Sequence, residues 1–254
     1  MGYQFLQLDI DDGVATLTLD RPPVNVITLA VMAELQAALD ALAAQPALRA
    51  VVFRGAGRAF SAGVDVGEHL PPTHEAMLRE FHAVFERLET LAVPTVAVVH
   101  GAALGGACEL VGCCDFVVAA ESARFGFPEI TLGVFPPVAA AVLPGRLGAR
   151  AVARLVLSGE MIDAHEARRL GLADTVVADG ELEAALATLL ARLRGLSAAA
   201  LRSARRALWA AEGGWRARLA AAERVYREEL MQTRDAIEGL QAFLEKRTPV
   251  WHHA

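Results

Sequence analysis

The chain has 254 residues, 24 of them Lys or Arg and 30 Asp or Glu, for a formal net charge of −6. Hydrophobic residues make up 54% and there are 21 glycines; with glycine counted and tyrosine left out, the apolar set is about 60%, above the ~45–50% of ordinary soluble domains. This excludes intrinsic disorder, and the acidic balance argues against a nucleic-acid partner, which needs an excess of Lys and Arg. The apolar surplus predicts an oligomer interface, and the length predicts one large domain or one domain with an appendage.

In chain order, two strands are predicted around Phe5–Ile10 and Val14–Leu19, with Asp11-Asp12-Gly13 as the hairpin turn. Met32, Leu35, Leu39 and Leu42 recur at helical spacing within about Leu29–Ala43. A short strand at Ala50–Phe53 runs into the loop Arg54-Gly55-Ala56-Gly57. Leu78, Phe81, Phe85 and Leu88 give a helix over about His74–Leu91 its apolar face, and Pro94 leads into a strand at Thr95–Val99.

A Gly-rich turn and short helix (Gly101–Gly112) then precede a strand at Phe116–Ala119. After the segment Phe125–Gly133 come helices from about Val138 and at Ala149–Leu157, then a helix at Ala164–Leu170 and a strand at Thr175–Val177. Alternating strands and helices predict α/β architecture. Beyond Gly180 the pattern is all helical, in about four segments ending near Lys246. This shift sets a boundary near 197, and the last part, with Trp209, Trp215, Leu219 and Tyr226, reads as a packing or assembly element.

Cys108, Cys113 and Cys114 are odd in number and have no CxxC or His-rich spacing, so they read as apolar core thiols in a reducing compartment. The N-terminus has neither signal-peptide nor transit-peptide character. The long uncharged stretches Thr90–Cys108 and Ile130–Gly145 are broken by Pro, His or Gly and do not read as membrane spans. The expectation is a cytoplasmic protein with no membrane partner.

Three constellations could carry chemistry. Gly101–Leu110 feeds a strand through glycines into a helix whose first N–H groups are unpaired and favour negative charge; it has neither the GxGxxG nor the GKS/T pattern. Close packing of small residues explains these glycines equally well. Glu109 lies in this segment among Gly, Ala, Cys and Val, where a carboxylate is either exposed on the helix face or present for a purpose. On the residues alone, exposure is the commoner outcome. Phe60-Ser61-Ala62-Gly63-Val64-Asp65 is a second segment whose small residues admit close backbone approach, and Ser61 lacks the GxSxG elbow of a serine hydrolase. Phe125-Gly126-Phe127-Pro128-Glu129-Ile130 holds a second acid in apolar surroundings. His69, His74, His100, His252 and His253 have no metal-ligand spacing and read as structural or surface residues.

Taken together, these segments resemble the enoyl-CoA hydratase/isomerase (crotonase) family. Ala59–Asp65, Ala103–Leu110, Cys114-Asp115, Phe125–Ile130 with Leu132-Gly133, Leu157-Ser158-Gly159, Ala164–Ala167, Gly171-Leu172 and Phe243–Arg247 match in order over nearly the whole chain. The resemblance implies a spiral of ββα repeats (residues 1–197) and a helical trimerisation segment (198–254), assembled as a homotrimer or dimer of trimers. It implies an acyl-CoA ligand whose thioester oxygen sits between the N–H groups of Ala62 and Gly106. It implies acid–base chemistry by Glu109, activating water, and Glu129, donating a proton to carbon.

Coenzyme A enters as part of the substrate, and no metal or other cofactor is expected. Val64, Asp65, Phe135 and Pro136 are the expected substrate contacts. Lys246, with Phe243, is expected to reach a ligand on a neighbouring subunit or else to be a solvated helix end, with Arg21 and Arg58 as further cations. Gly133-Val134-Phe135-Pro136-Pro137 departs from the Pro-Gly-Ala-Gly-Gly stretch of ordinary hydratases. With Val64–Pro71 it is similar to the cyclohexa-1,5-diene-1-carbonyl-CoA hydratases, which implies a cyclic dienoyl thioester in place of a short linear one. An enoyl-CoA isomerase and a non-catalytic acyl-CoA-binding protein are the alternatives.

Overall fold

Asp12 and Gly13 both take positive φ, 45° and 75°, the geometry of a two-residue turn that matches strand twist. That turn closes β1 (Leu6–Asp11) on β2 (Val14–Leu19), with Asp11 opposite Val14. The structure, a computed structural model, describes residues 2–211 and 213–253. After β2, Thr28 caps α1 (Leu29–Ala43), its hydroxyl accepting from the Val31 N–H at 3.4 Å. Met32, Leu35, Leu39 and Leu42 are buried, as their spacing requires. The chain continues through β3 (Ala50–Gly55), α2 (His74–Thr90), β4 (Thr95–Val99), β5 (Ala102–Leu104), α3 (Gly106–Cys113), β6 (Phe116–Ala120) and β7 (Arg124–Gly126). A 3-10 turn at Pro128–Leu132 leads into α4 (Pro137–Val142), α5 (Pro144–Leu147), α6 (Ala149–Ser158), β8 (Met161–Asp163), α7 (Ala164–Leu170) and β9 (Thr175–Val177). The helices α8 (Leu182–Arg194), α9 (Ala198–Ala211), α10 (Trp215–Arg224) and α11 (Arg234–Leu244) follow.

The main sheet has the order β1-β2-β3-β4-β6-β9 and is parallel except at the β1–β2 hairpin. Its central strands read as continuous Val and Ala runs because both faces are covered. Leu182 and Leu186 of α8 join Val14, Ala50, Val52, Val96, Val98 and Val118 in one cluster. Val51, Phe53, Ala97 and Val99 join the main core with α1, α2 and α3. A second layer, β5-β7-β8, is prolonged by the parallel bridges Ser61–Ala103 and Ile27–Val64. From β2 to β6 the chain thus repeatedly runs from a main-sheet strand through a short second-layer strand or bridge into a helix. This is the expected ββα repetition. The predicted Gly101–Gly112 turn and helix resolves into β5 and α3, and Phe125–Gly133 into the end of β7 and the 3-10 turn.

Past Gly195 the chain is helical, yet the core does not divide there. Trp209, Trp215, Leu219, Tyr226, Met231 and Leu240 belong to the same hydrophobic cluster as the α/β part. Arg205, buried on α9, fixes this docking: its Nε donates to Asp115 Oδ2 at 2.6 Å and its Nη2 to the Leu88 carbonyl at 2.9 Å. Cys108, Cys113 and Cys114 are buried and form no disulfide among the described residues. Leu157, Met161, Leu208, Phe243, Leu244 and Val250 remain exposed. No single helix among the described residues is long and apolar enough to cross a membrane.

Candidate active site

Gly105 takes φ +54°, and its N–H donates to the Gly126 carbonyl at 2.9 Å, which anchors the start of α3 beside β7. The next N–H, that of Gly106, opens the helix and has no acceptor among the described residues, as first-turn amides have none within their own helix. Glu109 sits in that first turn. Side chains on a helix lean toward its N-terminus, so the Glu109 carboxyl lies near the same end.

Glu109 is only 2% exposed, against the surface position favoured by its residue type and neighbours alone. Its Oε1 accepts from the Ala139 N–H at 2.7 Å, so the first turn of α4 holds the carboxyl in place. Burial pushes its pKa up to about 7, opposed by the hydrogen bonds from Ala139 and Val138.

Glu129 comes from the 3-10 turn behind Pro128 and is 9% exposed, with no partner for Oε2 among the described residues. Burial, and then the negative charge of Glu109, hold its carboxyl well above the usual range. A methyl group at Gly105 would lie 2.7 Å from Glu129 Oε1. The glycine therefore serves both the left-handed backbone and the close approach of the carboxyl. The two acids differ in what surrounds them: Glu109 is held by N–H donors that favour its anion, whereas Glu129 has an unpartnered oxygen beside a negative neighbour. The pair favours Glu109 ionised and Glu129 protonated.

One cavity is lined by both glutamates, Gly106, Ala62, Val64, Phe135 and Pro136, with Met77, Leu78, Phe81, Leu132, Pro137 and Leu240 completing an apolar wall. The expected donor Ala62 needs correction. Its N–H is committed to the Val24 carbonyl at 2.9 Å. Two residues on, the Val64 N–H has no acceptor among the described residues, because Ile27 pairs with the flanking Gly63 carbonyl and Asp65 N–H. Val64 packs against the start of α3, its Cγ2 lying 2.6 Å from where a Gly106 methyl would be. Val64 and Gly106 thus supply the two unpaired amides at this wall.

Asp65 does not line the cavity. Its Oδ1 accepts from the Gly67 and Glu68 N–H groups at 2.9 and 3.3 Å, and its carbonyl accepts from His69 Nδ1 at 2.9 Å. Its role here is to hold the Gly67–His69 turn and the imidazole. Phe243 and Lys246, exposed at the end of α11, are not brought to the cavity of their own chain.

Sequence reasoning missed two polar members of the wall. His69, read as a surface residue, lines the cavity, and burial lowers its pKa, so the imidazole is neutral. Tyr226, grouped with packing residues, also lines it, and its hydroxyl has no partner among the described residues. The position of His69 four residues after Asp65, where Nδ1 can reach the Asp65 carbonyl, is the one local signal. For Tyr226 no local signal exists.

Two buried acids of unlike proton affinity line one cavity with two free backbone amides, an arrangement that can serve acid–base chemistry beside an anionic oxygen. The sequence model of the enoyl-CoA hydratase/isomerase family matches residues 9–254, and the chain belongs to that family. It is 38% identical to cyclohexa-1,5-dienecarbonyl-CoA hydratase of Thauera aromatica, over 97% of this chain and 95% of that protein. It is likewise 38% identical to 2,3-dehydroadipyl-CoA hydratase of Escherichia coli (strain K12), over 93% of this chain and 94% of that one. An enoyl-CoA hydratase from Mycobacterium avium subsp. paratuberculosis K-10 superposes with a TM-score of 0.89 at 28% identity, covering 98% of this chain and 99% of its own. The fold is therefore the crotonase fold, and the protein is an enzyme of the hydro-lyase type that these relatives represent.

Proposed function

We propose that this protein adds water across a carbon–carbon double bond of an unsaturated acyl-CoA thioester. The observation that carries this reading is the Glu109–Glu129 pair, buried in one apolar cavity and split in proton affinity. The thioester oxygen is received by the N–H groups of Val64 and Gly106, which stabilise the enolate charge as it develops; one such donor is worth about 3–4 kcal/mol. Glu109 takes a proton from water as its oxygen bonds to the β-carbon, and Glu129 gives its proton to the α-carbon. One proton is taken and one given, so the balance closes without a metal or redox cofactor.

We further assign a cyclic dienoyl thioester as the preferred substrate. The similarity to the Thauera enzyme supports this, as does the bulky wall that Phe135, Pro136 and Pro137 give the cavity, at the stretch where the resemblance implies glycines in ordinary hydratases. Assembly as a homotrimer or dimer of trimers in the cytoplasm, with Lys246 and Phe243 serving a neighbour's coenzyme A, completes the reading; their exposure supports it.

A panel of crotonyl-CoA, a 3-enoyl-CoA and cyclohexa-1,5-diene-1-carbonyl-CoA tests it. Hydration of the cyclic substrate at the highest kcat/KM, with an acid limb near pH 7 and loss of roughly 100-fold or more in both Glu109→Gln and Glu129→Gln, is the expected result. Conversion of the 3-enoyl-CoA without hydration identifies an isomerase instead. Wild-type rates in both variants refute the mechanism.

A further inference from the structure

The helix α10 does not end as an α-helix: it runs into a π-helical turn, Val225–Glu229, of which Tyr226 is the buried residue. Such turns insert one extra residue and re-aim the side chains near it, often at functional sites. Here the turn directs Tyr226 into the cavity shared by Glu109 and Glu129. The ring is fixed edge-on against Phe135, with centroids 5.4 Å apart and an interplanar angle of 64°. The side chain is 1% exposed, and its hydroxyl has no protein partner among the described residues.

A buried, unpartnered hydroxyl costs stability unless a ligand satisfies it. Phenylalanine would fill the same space against Phe135 without that cost. The start of α4 offers no substitute donor: Pro136 and Pro137 have no N–H, and the Val138 and Ala139 N–H groups are turned to Glu109. We propose that the Tyr226 hydroxyl is a further catalytic group, donating a hydrogen bond to the oxygen that is added between Glu109 and Glu129 and binding it again as the product hydroxyl. Burial and both carboxyls hold the phenol pKa well above its ordinary value, so it keeps its proton and is available as a donor. This inference rests on the hydratase reading and adds a contact, beside that of Glu109, to the reacting oxygen.

Tyr226→Phe tests it, on whichever enoyl-CoA of the panel the wild type hydrates. The expected result is a fall in kcat of roughly 10- to 100-fold with KM changed less than about threefold, and a Tm equal to or above wild type. A second readout compares binding of the 3-hydroxyacyl-CoA product with that of the saturated acyl-CoA. The wild type prefers the hydroxylated ligand, and the variant loses that preference by about tenfold. A merely structural role would move Tm and weaken both ligands together. Unchanged kcat with an unchanged ligand preference overturns the proposal. A wild type that binds acyl-CoA but hydrates nothing on the panel overturns the hydratase reading itself, and this role with it.

Discussion

Replacing Glu109 by Gln is expected to stabilise the protein at alkaline pH while abolishing its chemistry. The Glu109 carboxyl is buried, and its pKa rises from an ordinary 4.5 to about 7. Below pH 4.5 the group is neutral whether the chain is folded or not, so the fold carries no penalty from it. As pH rises through the interval to about 7, the unfolded chain ionises freely while the folded one resists, and stability falls. At 1.36 kcal/mol for each pH unit of displacement, the loss levels off at about 3 kcal/mol. Gln accepts the Ala139 hydrogen bond through its amide oxygen and never ionises. The variant's advantage over wild type is thus near zero at pH 4.5 and about 3 kcal/mol at pH 8, equivalent to roughly 6–12 °C in Tm for a chain of this size. Urea unfolding of both proteins at the two pH values, at one protein concentration so that assembly does not intervene, measures the difference. An advantage at pH 8 no larger than that at pH 4.5 would refute the burial argument and with it the assignment of Glu109 as a strained base.

Gly105→Ala places a methyl group 2.7 Å from Glu129 Oε1 at a residue with φ +54°. Steady-state hydration should fall at least tenfold, with near-native circular dichroism, because the displaced group is the proposed proton donor. Arg205→Met leaves Asp115 and the Leu88 carbonyl without their buried guanidinium partner. Urea titration should show a loss of about 3–5 kcal/mol, whereas kcat per folded molecule should match wild type, since Arg205 does not line the cavity.

What was legible in the sequence follows the range of the interaction that decides each feature. The β1–β2 hairpin rests on an Asp-Gly pair that can adopt two positive φ values, and α1 on an apolar spacing with a Thr cap; both are local and both were readable. Burial of Glu109 depends on α4 coming back over α3 to offer the Ala139 N–H, thirty positions away. The residues around Glu109 do not contain that fact, and the role proposed for it came from the family resemblance instead. The misplaced oxyanion donor has the same origin. Ala62 and Val64 are alike as small or branched apolar residues, and which amide is free is decided by where Val24 and Ile27 dock on this loop.

The composition shift near residue 197 marks a change of secondary structure, and the active-site wall crosses it. Tyr226 and Leu240 come from beyond that boundary and line the same cavity as Glu109. The helix α10, with Leu219 in the common core, packs on α4, the helix whose first turn holds the Glu109 carboxyl. Anything that shifts α10 therefore reaches the base through α4 and the phenol through the π-helical turn at once. A terminal segment used only to join subunits would have no need of a tyrosine hydroxyl buried without a partner beside two carboxyls. Its presence there brings the C-terminal helices into the wall of the glutamate cavity, and the apolar surplus of the sequence divides accordingly: Trp209, Trp215 and Leu219 close the core of their own chain, while Leu157, Met161, Phe243 and Leu244 stay exposed.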